Sequence, residues 1–152
     1  MKYRKAVFAL VYFQNKDKIE YLILKRKLHW RGWEFPKGAI EKFETKKGAV
    51  KREVFEETGL RVGRKDVKRF DFSGKYLYEK VLQDRPEFRG QTFFLYSVKV
   101  SGKGIKISRE EHSDYKWASF DKALRMLKWP NQKKSLKMVN AWLTHELQKK
   151  SS

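Results

Sequence analysis

No cysteine occurs among the 152 residues, which excludes a disulfide framework, a thiolate metal site and a cysteine nucleophile. Any metal must therefore sit on oxygen or imidazole. Proline is scarce, at three residues, and no stretch rich in proline, glycine or serine separates two candidate cores, so the length predicts one domain over 1–152. Long apolar runs are missing as well: no segment approaches the roughly twenty apolar residues that a bilayer-crossing helix needs. The N-terminal MKYRKAVFALVYFQNK has basic residues before an apolar run, but that run then alternates with polar positions and lacks a small-residue cleavage site. It reads as a strand, and the expectation is a soluble, intracellular, cytoplasmic protein without membrane partners.

Acidic residues are also in deficit. Against 37 Lys plus Arg stand 18 Asp plus Glu, a formal charge of +19 that favours phosphate-rich partners such as nucleotides, RNA or DNA, although a basic surface also serves solubility. What is abundant is apolar and aromatic: 40% hydrophobic residues, with 15% Phe, Trp and Tyr, suffice for a packed interior. The charged 36% then describes a surface, not a disordered chain.

Ala6 to Phe13 and Tyr21 to Arg26 are β-branched and aromatic runs joined by the polar turn Gln14 to Lys18, the pattern of a β-hairpin. A Trp-rich loop, Leu28 to Gly38, follows. Thr45 is a helix cap for a segment to about Thr58, with Gly59 where a left-handed residue would end it. Val67 to Ser73, Tyr76 to Leu82 and Thr92 to Val100 read as three strands, and Tyr115 to Ala118 as a short fourth. Ser119 or Asp121 caps a helix to about Trp129, and Asn131 or Gln132 starts a last helix to about Leu147, beyond which the tail is expected to fray. No internal repeat or low-complexity segment is present.

The most informative stretch runs from Gly38 to Leu60. On a helix, Glu53, Glu56 and Glu57 stand at i, i+3 and i+4, so their carboxylates gather on one side. Like charges at that spacing destabilise an isolated helix by a few tenths of a kcal/mol per pair, which calls for a compensating cation. Hard cations such as Mg²⁺ take oxygen ligands and bridge carboxylates to phosphates. The same E-x-x-E-E spacing also occurs on ordinary acidic, solvated helix faces, so the spacing alone does not decide.

The surroundings decide more. The arrangement G-x5-E-x7-R-E-U-x-E-E-x-G-U, with U aliphatic, is met at every fixed position from Gly38 through Glu44, Arg52 and Glu53 to Gly59 and Leu60, and it resembles the Nudix box. The resemblance implies an α/β fold, an α/β/α sandwich with a mixed sheet and a loop-helix-loop catalytic motif. It implies metal ligation by Glu53, Glu56 and Glu57, with the Gly38 carbonyl and Glu44 supporting, and an Arg52 that orients the acidic residues. The implied cofactor is Mg²⁺ or Mn²⁺. Family members differ in whether the base comes from the box or a later loop, so Glu53, Glu57 and Glu111 all enter the catalytic set. Ser108 to Trp117 resembles the S-x-E-H-x-x-Y-x-W pattern of the diadenosine tetraphosphate hydrolase branch, with one extra residue before Glu111. His112 reads as a packing or capping residue.

Trp33-Glu34-Phe35-Pro36-Lys37-Gly38 is similar to the entrance W-x-F-P-K-G of diadenosine tetraphosphate hydrolases, where RNA 5′-pyrophosphohydrolases carry glutamine for lysine. Lys37 and Arg26 are candidate phosphate contacts. Tyr76, Tyr78, Phe94, Tyr96 and Trp117 are aromatics that could stack on a base, Tyr76 and Tyr78 foremost because tyrosine keeps a polar end near solvent. Gly90-Gln91 resembles a step in the RNA-decapping relatives. The expected activity is hydrolysis of a phosphoanhydride in a dinucleoside polyphosphate such as diadenosine tetraphosphate, giving ATP and AMP. The alternatives are RNA 5′ ends, oxidised nucleoside triphosphates, or a nonenzymatic nucleotide- or RNA-binding module.

Overall fold

The protein is described by a computed structural model over residues 2–151, the side chain of Ser151 excepted. Its order is β1 (Lys2–Asn15), β2 (Lys18–Arg26), β3 (Gly32–Glu34), β4 (Lys37–Ala39), α1 (Lys46–Thr58), a 3-10 turn (Arg64–Asp66), β5 (Val67–Leu77), β6 (Phe88–Val100), β7 (His112–Ala118), α2 (Phe120–Met126) and α3 (Pro130–Ser151). The seven strands form one mixed sheet in the order β3-β2-β1-β6-β5, with β4 paired to β1 and β7 to β2. Only β1 and β6 run parallel; every other pairing is antiparallel.

Strand alternation explains the layers. In β1, Phe8, Leu10 and Tyr12 point to one face, where Tyr21, Ile23, Phe93 and Leu95 join Ala123 of α2 and Leu136, Val139 and Leu143 of α3. Val7, Ala9 and Val11 point to the other, where Leu22, Leu24, Tyr96 and Val98 meet Ala49, Val50 and Val54 of α1. A sheet buried on both faces needs continuous apolar runs, and Ala6 to Val11 supplies one, buried throughout. Each fully buried Leu, Ile or Val contributes about 1.5–3 kcal/mol.

Several elements differ from the expectation. The strand read at Val67 to Ser73 and the first two residues of that read at Tyr76 to Leu82 form one strand, β5, with a register shift between Arg69 and Ser73, while Tyr78 to Leu82 lie outside any strand. Gly74, which reads as a break, stays in the ladder because the Phe93 ring fills its side-chain space, 2.9 Å from where a Cβ would stand. The Trp-rich loop contains β3 and β4. Helix α2 starts at its Ser119 cap, whose hydroxyl accepts from the Lys122 N–H at 3.4 Å, and ends at Met126, not Trp129. Leu127 turns extended and bridges to Trp33, and Pro130 holds the residue before it out of a helix. Pro130 then opens α3 at a first-turn position, and helix continues through 148–151 where fraying was expected. No helix among the described residues is long and apolar enough to cross a membrane.

Candidate active site

The sheet forks, and the functional side chains collect at the fork. One edge of β1 pairs with β6 along its length; the other pairs with β4 over Ala6–Phe8 and with β2 over Tyr12–Asn15. Between these pairings the Ala9 N–H donates to the Pro36 carbonyl at 2.8 Å. Arg26, at the end of β2, faces Gly32 of β3 and His112 of β7.

Helix α1 covers the fork from one face. Its start is set by the Thr45 hydroxyl, which accepts from the Gly48 N–H at 3.0 Å, and its end by Gly59 at φ +76°, whose N–H donates to the Phe55 carbonyl at 2.8 Å. Residues 53, 56 and 57 fan over an arc because each helical residue advances by about 100°. They are therefore not equivalent. Glu57 is buried and accepts from the Lys37 N–H at 3.1 Å, while its second oxygen has no partner. Glu53 turns towards Gly38, and Glu56 is half exposed, with Arg52 as its ion-pair partner. Arg52 forks onto Glu44 at 2.7 and 2.8 Å, reaches Glu53 at 2.7 Å and Glu56 at 3.3 Å, and donates to the Ala39 carbonyl at 2.8 Å. Burial pushes the Glu53 carboxyl up to about 7 despite the Arg52 contact, with Glu56 and Glu111 adding to the rise. Burial drives Glu57 well above the usual carboxylate range, with Glu34, Glu53 and Glu111 adding to it.

Behind this cluster lies a buried carboxylate, Glu34. Burial alone would raise it, but Lys37, the hydrogen bond from His112 and the Arg26 charge outweigh that and hold it at about 2. Its partners are Arg26 Nη1 at 3.0 Å, Lys37 Nζ at 3.3 Å and His112 Nε2 at 2.7 Å. Glu111, on the loop before β7, has its carboxylate 3.6 Å from Arg26 Nη1. Glu57, Glu111 and His112 each offer one ligand atom within 4.8 Å of the others.

A pocket of about 300 Å³ opens from the fork across the α3 face of the sheet. Gly38, Glu53, Glu111, Lys37 and Arg26 line it, with Lys37 5.9 Å from the Tyr76 ring, and Tyr76, Tyr78, Glu79, Gln91, Arg4 and Arg85 continue the lining. Trp30 and Trp129, in edge contact with ring centroids 5.1 Å apart, and Pro130 to Gln132 at the start of α3 form the remaining wall.

A family model described as the NUDIX domain matches residues 2–139. The chain belongs to the NUDIX domain family. An RNA pyrophosphohydrolase of Edwardsiella ictaluri is 33% identical over 106 residues, covering 62% of this chain; the chain spans 59% of that relative's length. An 8-oxo-dGTP diphosphatase of Buchnera aphidicola is 30% identical over 149 residues, 98% of this chain and 96% of the relative. Among solved structures, a C. elegans Ap4A hydrolase binary complex superposes with a TM-score of 0.67 at 22% identity, covering 92% of this chain and 98% of that one.

Divalent cations are typical of Nudix proteins, and the residues here fit one. Glu57 has a buried orphan oxygen, burial raises both Glu53 and Glu57 above the usual carboxylate range, which a bound cation would oppose, and the missing side chain of Gly38 leaves the space that the Glu53 carboxyl fills. Of the other residues singled out in this Nudix sequence, Arg26, Lys37, Tyr76, Tyr78 and Glu111 line the pocket, whereas Glu44 is held beside it by Arg52. Tyr96, Phe94 and Trp117 belong to the core on the α1 side, away from the pocket. Sequence reasoning missed Glu34, Arg4 and Arg85, and left the Lys128 to Lys134 segment outside the site although Trp129 to Gln132 line it. The available signal for Glu34 was a carboxylate embedded in the aromatic run Trp33 to Phe35.

Proposed function

We propose that the chain is a metal-dependent hydrolase that cuts a phosphoanhydride bond in nucleoside polyphosphates, with dinucleoside polyphosphates such as diadenosine tetraphosphate as substrates and ATP and AMP as products. What supports this is one pocket that joins a carboxylate cluster suited to Mg²⁺ or Mn²⁺ to cationic and aromatic walls. Glu53, Glu56, Glu57 and the Gly38 carbonyl hold the metal, with Glu44 and Arg52 fixing their orientation. A cation bound by these residues would offset charge on the phosphate oxygens. Lys37 and Arg26, held charged against Glu34, contact the phosphate chain from the opposite side. Glu111 takes the proton of the attacking water, Arg26 keeping its carboxylate near the fork; the water oxygen bonds to phosphorus as the anhydride P–O bond breaks and ATP leaves. Tyr76 and Tyr78, with the Trp30–Trp129 pair, supply ring faces and edges for the nucleoside.

RNA 5′ ends form a second reading, favoured by Gly90-Gln91. A Cβ at residue 90 would run into the Tyr76 carbonyl, and Gln91 bridges Arg4 to Tyr76 at the pocket floor, so this dipeptide shapes the pocket. Chromatographic product analysis on diadenosine tetraphosphate, 5′-triphosphorylated RNA and nucleoside triphosphates separates the readings. ATP plus AMP as the fastest reaction supports the first, and pyrophosphate from RNA moves it to the second. No turnover on any member removes both.

A further inference from the structure

Where Gln91 lines the pocket, two guanidinium charges outnumber the carboxylates within ion-pairing distance of them. Arg4, Gln91 and Tyr76 stand in one row across β1, β6 and β5. Gln91 is 3% exposed, and its amide oxygen accepts from Arg4 Nη1 at 3.0 Å, Arg85 Nη1 at 3.1 Å and the Tyr78 hydroxyl at 3.0 Å. Its amide nitrogen donates to the Tyr76 hydroxyl at 2.7 Å. An amide oxygen has two lone pairs, so three donors oversubscribe it. Among the described residues the one carboxylate within ion-pairing distance of either guanidinium is Asp84, 3.5 Å from Arg85 Nη2, half exposed and shared with His29. Two guanidiniums converging on a neutral oxygen at a pocket wall repel each other, and the half-exposed Asp84 offsets only Arg85. An anion placed there relieves the repulsion and takes charge-assisted hydrogen bonds from both.

We propose that Arg4 and Arg85, bridged by Gln91, form a second anion subsite that takes a phosphate group of the substrate other than those at the carboxylate cluster. The subsite rests on the polyphosphate-hydrolase reading for its substrate class. Its phosphate has two possible sources, a distal phosphate of a polyphosphate chain or a 3′-phosphate such as the first internucleotide link of RNA.

Binding separates the sources without catalysis. Titration calorimetry in EDTA compares AMP with adenosine 3′,5′-bisphosphate, and AMP with ATP, on the wild type and on Arg85→Gln, Arg4→Lys and Gln91→Glu. One phosphate seated between the two arginines is expected to tighten binding by about tenfold in one of the two pairs. A gain in the first pair identifies a 3′-phosphate; a gain in the second identifies the chain. Arg85→Gln should erase the gain, bringing the two affinities of that pair within about twofold of each other, and Arg4→Lys, which keeps the charge, should retain part of it. Gln91→Glu is nearly isosteric and places its own carboxylate between the arginines, so it should keep or raise the melting temperature and still abolish the gain. No gain in either pair on the wild type overturns the subsite, as does a gain that survives both Arg85→Gln and Gln91→Glu. Turnover assayed on the same proteins separates the two readings: hydrolysis without an arginine-dependent phosphate preference removes the subsite alone, and the preference without hydrolysis removes the hydrolase reading alone.

Discussion

Beside the pocket four carboxylates, of which Glu53 lines it, lie within ion-pairing distance of the single guanidinium of Arg52, while in the pocket wall two guanidiniums share the neutral amide of Gln91. The first imbalance is negative and the second positive, while the buried Glu34 carboxylate pairs with Arg26, Lys37 and His112. A cation fits the first end and an anion the second. A metal polyphosphate is a ligand with both. The two ends should therefore separate in kinetics, the carboxylate end acting on kcat and the cationic end on KM.

The largest break should come from Glu57→Gln, which removes a ligand charge and leaves the Lys37 N–H its acceptor. A kcat loss of about 10³-fold or more is expected, in line with the several kcal/mol a metal contributes to charge stabilisation. Retention of wild-type kcat would remove Glu57 from the metal set. The next effect concerns stability without metal. The folded protein holds a proton on Glu53 up to about 7, whereas the usual carboxylate value is 4.5, so the folded state binds protons more tightly over that window. Its stability is thus full below about 4.5 and falls as pH rises through about 7, by roughly 3 kcal/mol before solvent screening trims it. Urea denaturation in EDTA across this range should show the fall in wild type and a flatter profile in Glu53→Gln; equal slopes would contradict the burial of this carboxyl.

Glu111→Gln should lower kcat by about 10²-fold with KM little changed, the size expected of a general base. A loss below about threefold would pass that role to a box carboxylate. The smallest effect belongs to the cationic end, where Tyr78→Phe removes one hydrogen bond to Gln91, and burial already holds its hydroxyl protonated by pushing it up to about 12. KM should rise severalfold with kcat unchanged, the consequence of losing about 1 kcal/mol. A kcat effect instead would mean that the two ends do not act separately.

The same contrast governs what could be read in the sequence. Helix α1 was legible because its cap, its C-terminal glycine and its carboxylates are fixed by local spacing, and spacing is what a sequence displays. The central strands β1, β2 and β6 and both helical layers were legible in outline from alternation and capping residues. The cationic end was not, because Arg4 and Gln91 are brought together by strand register and Arg85 joins them from the connection between β5 and β6. Glu34 escaped for a related reason: its partners Arg26 and His112 come from β2 and β7, and a lone carboxylate in a loop carries no sign of what will surround it. Even within α1 the likeness of Glu53, Glu56 and Glu57 in sequence concealed three environments, which depend on what packs against the helix.

Gly38 is used for its volume. Its backbone is not in the left-handed region, so other residues could adopt its conformation, yet the place of its side chain belongs to the carboxyl of a residue fifteen positions later in the chain. Under mutation and selection such a position behaves as a lock with one key. Alanine, the smallest possible change, already evicts a carboxyl oxygen of Glu53, whereas Gly102 and Gly104, with open space around them, are free to drift.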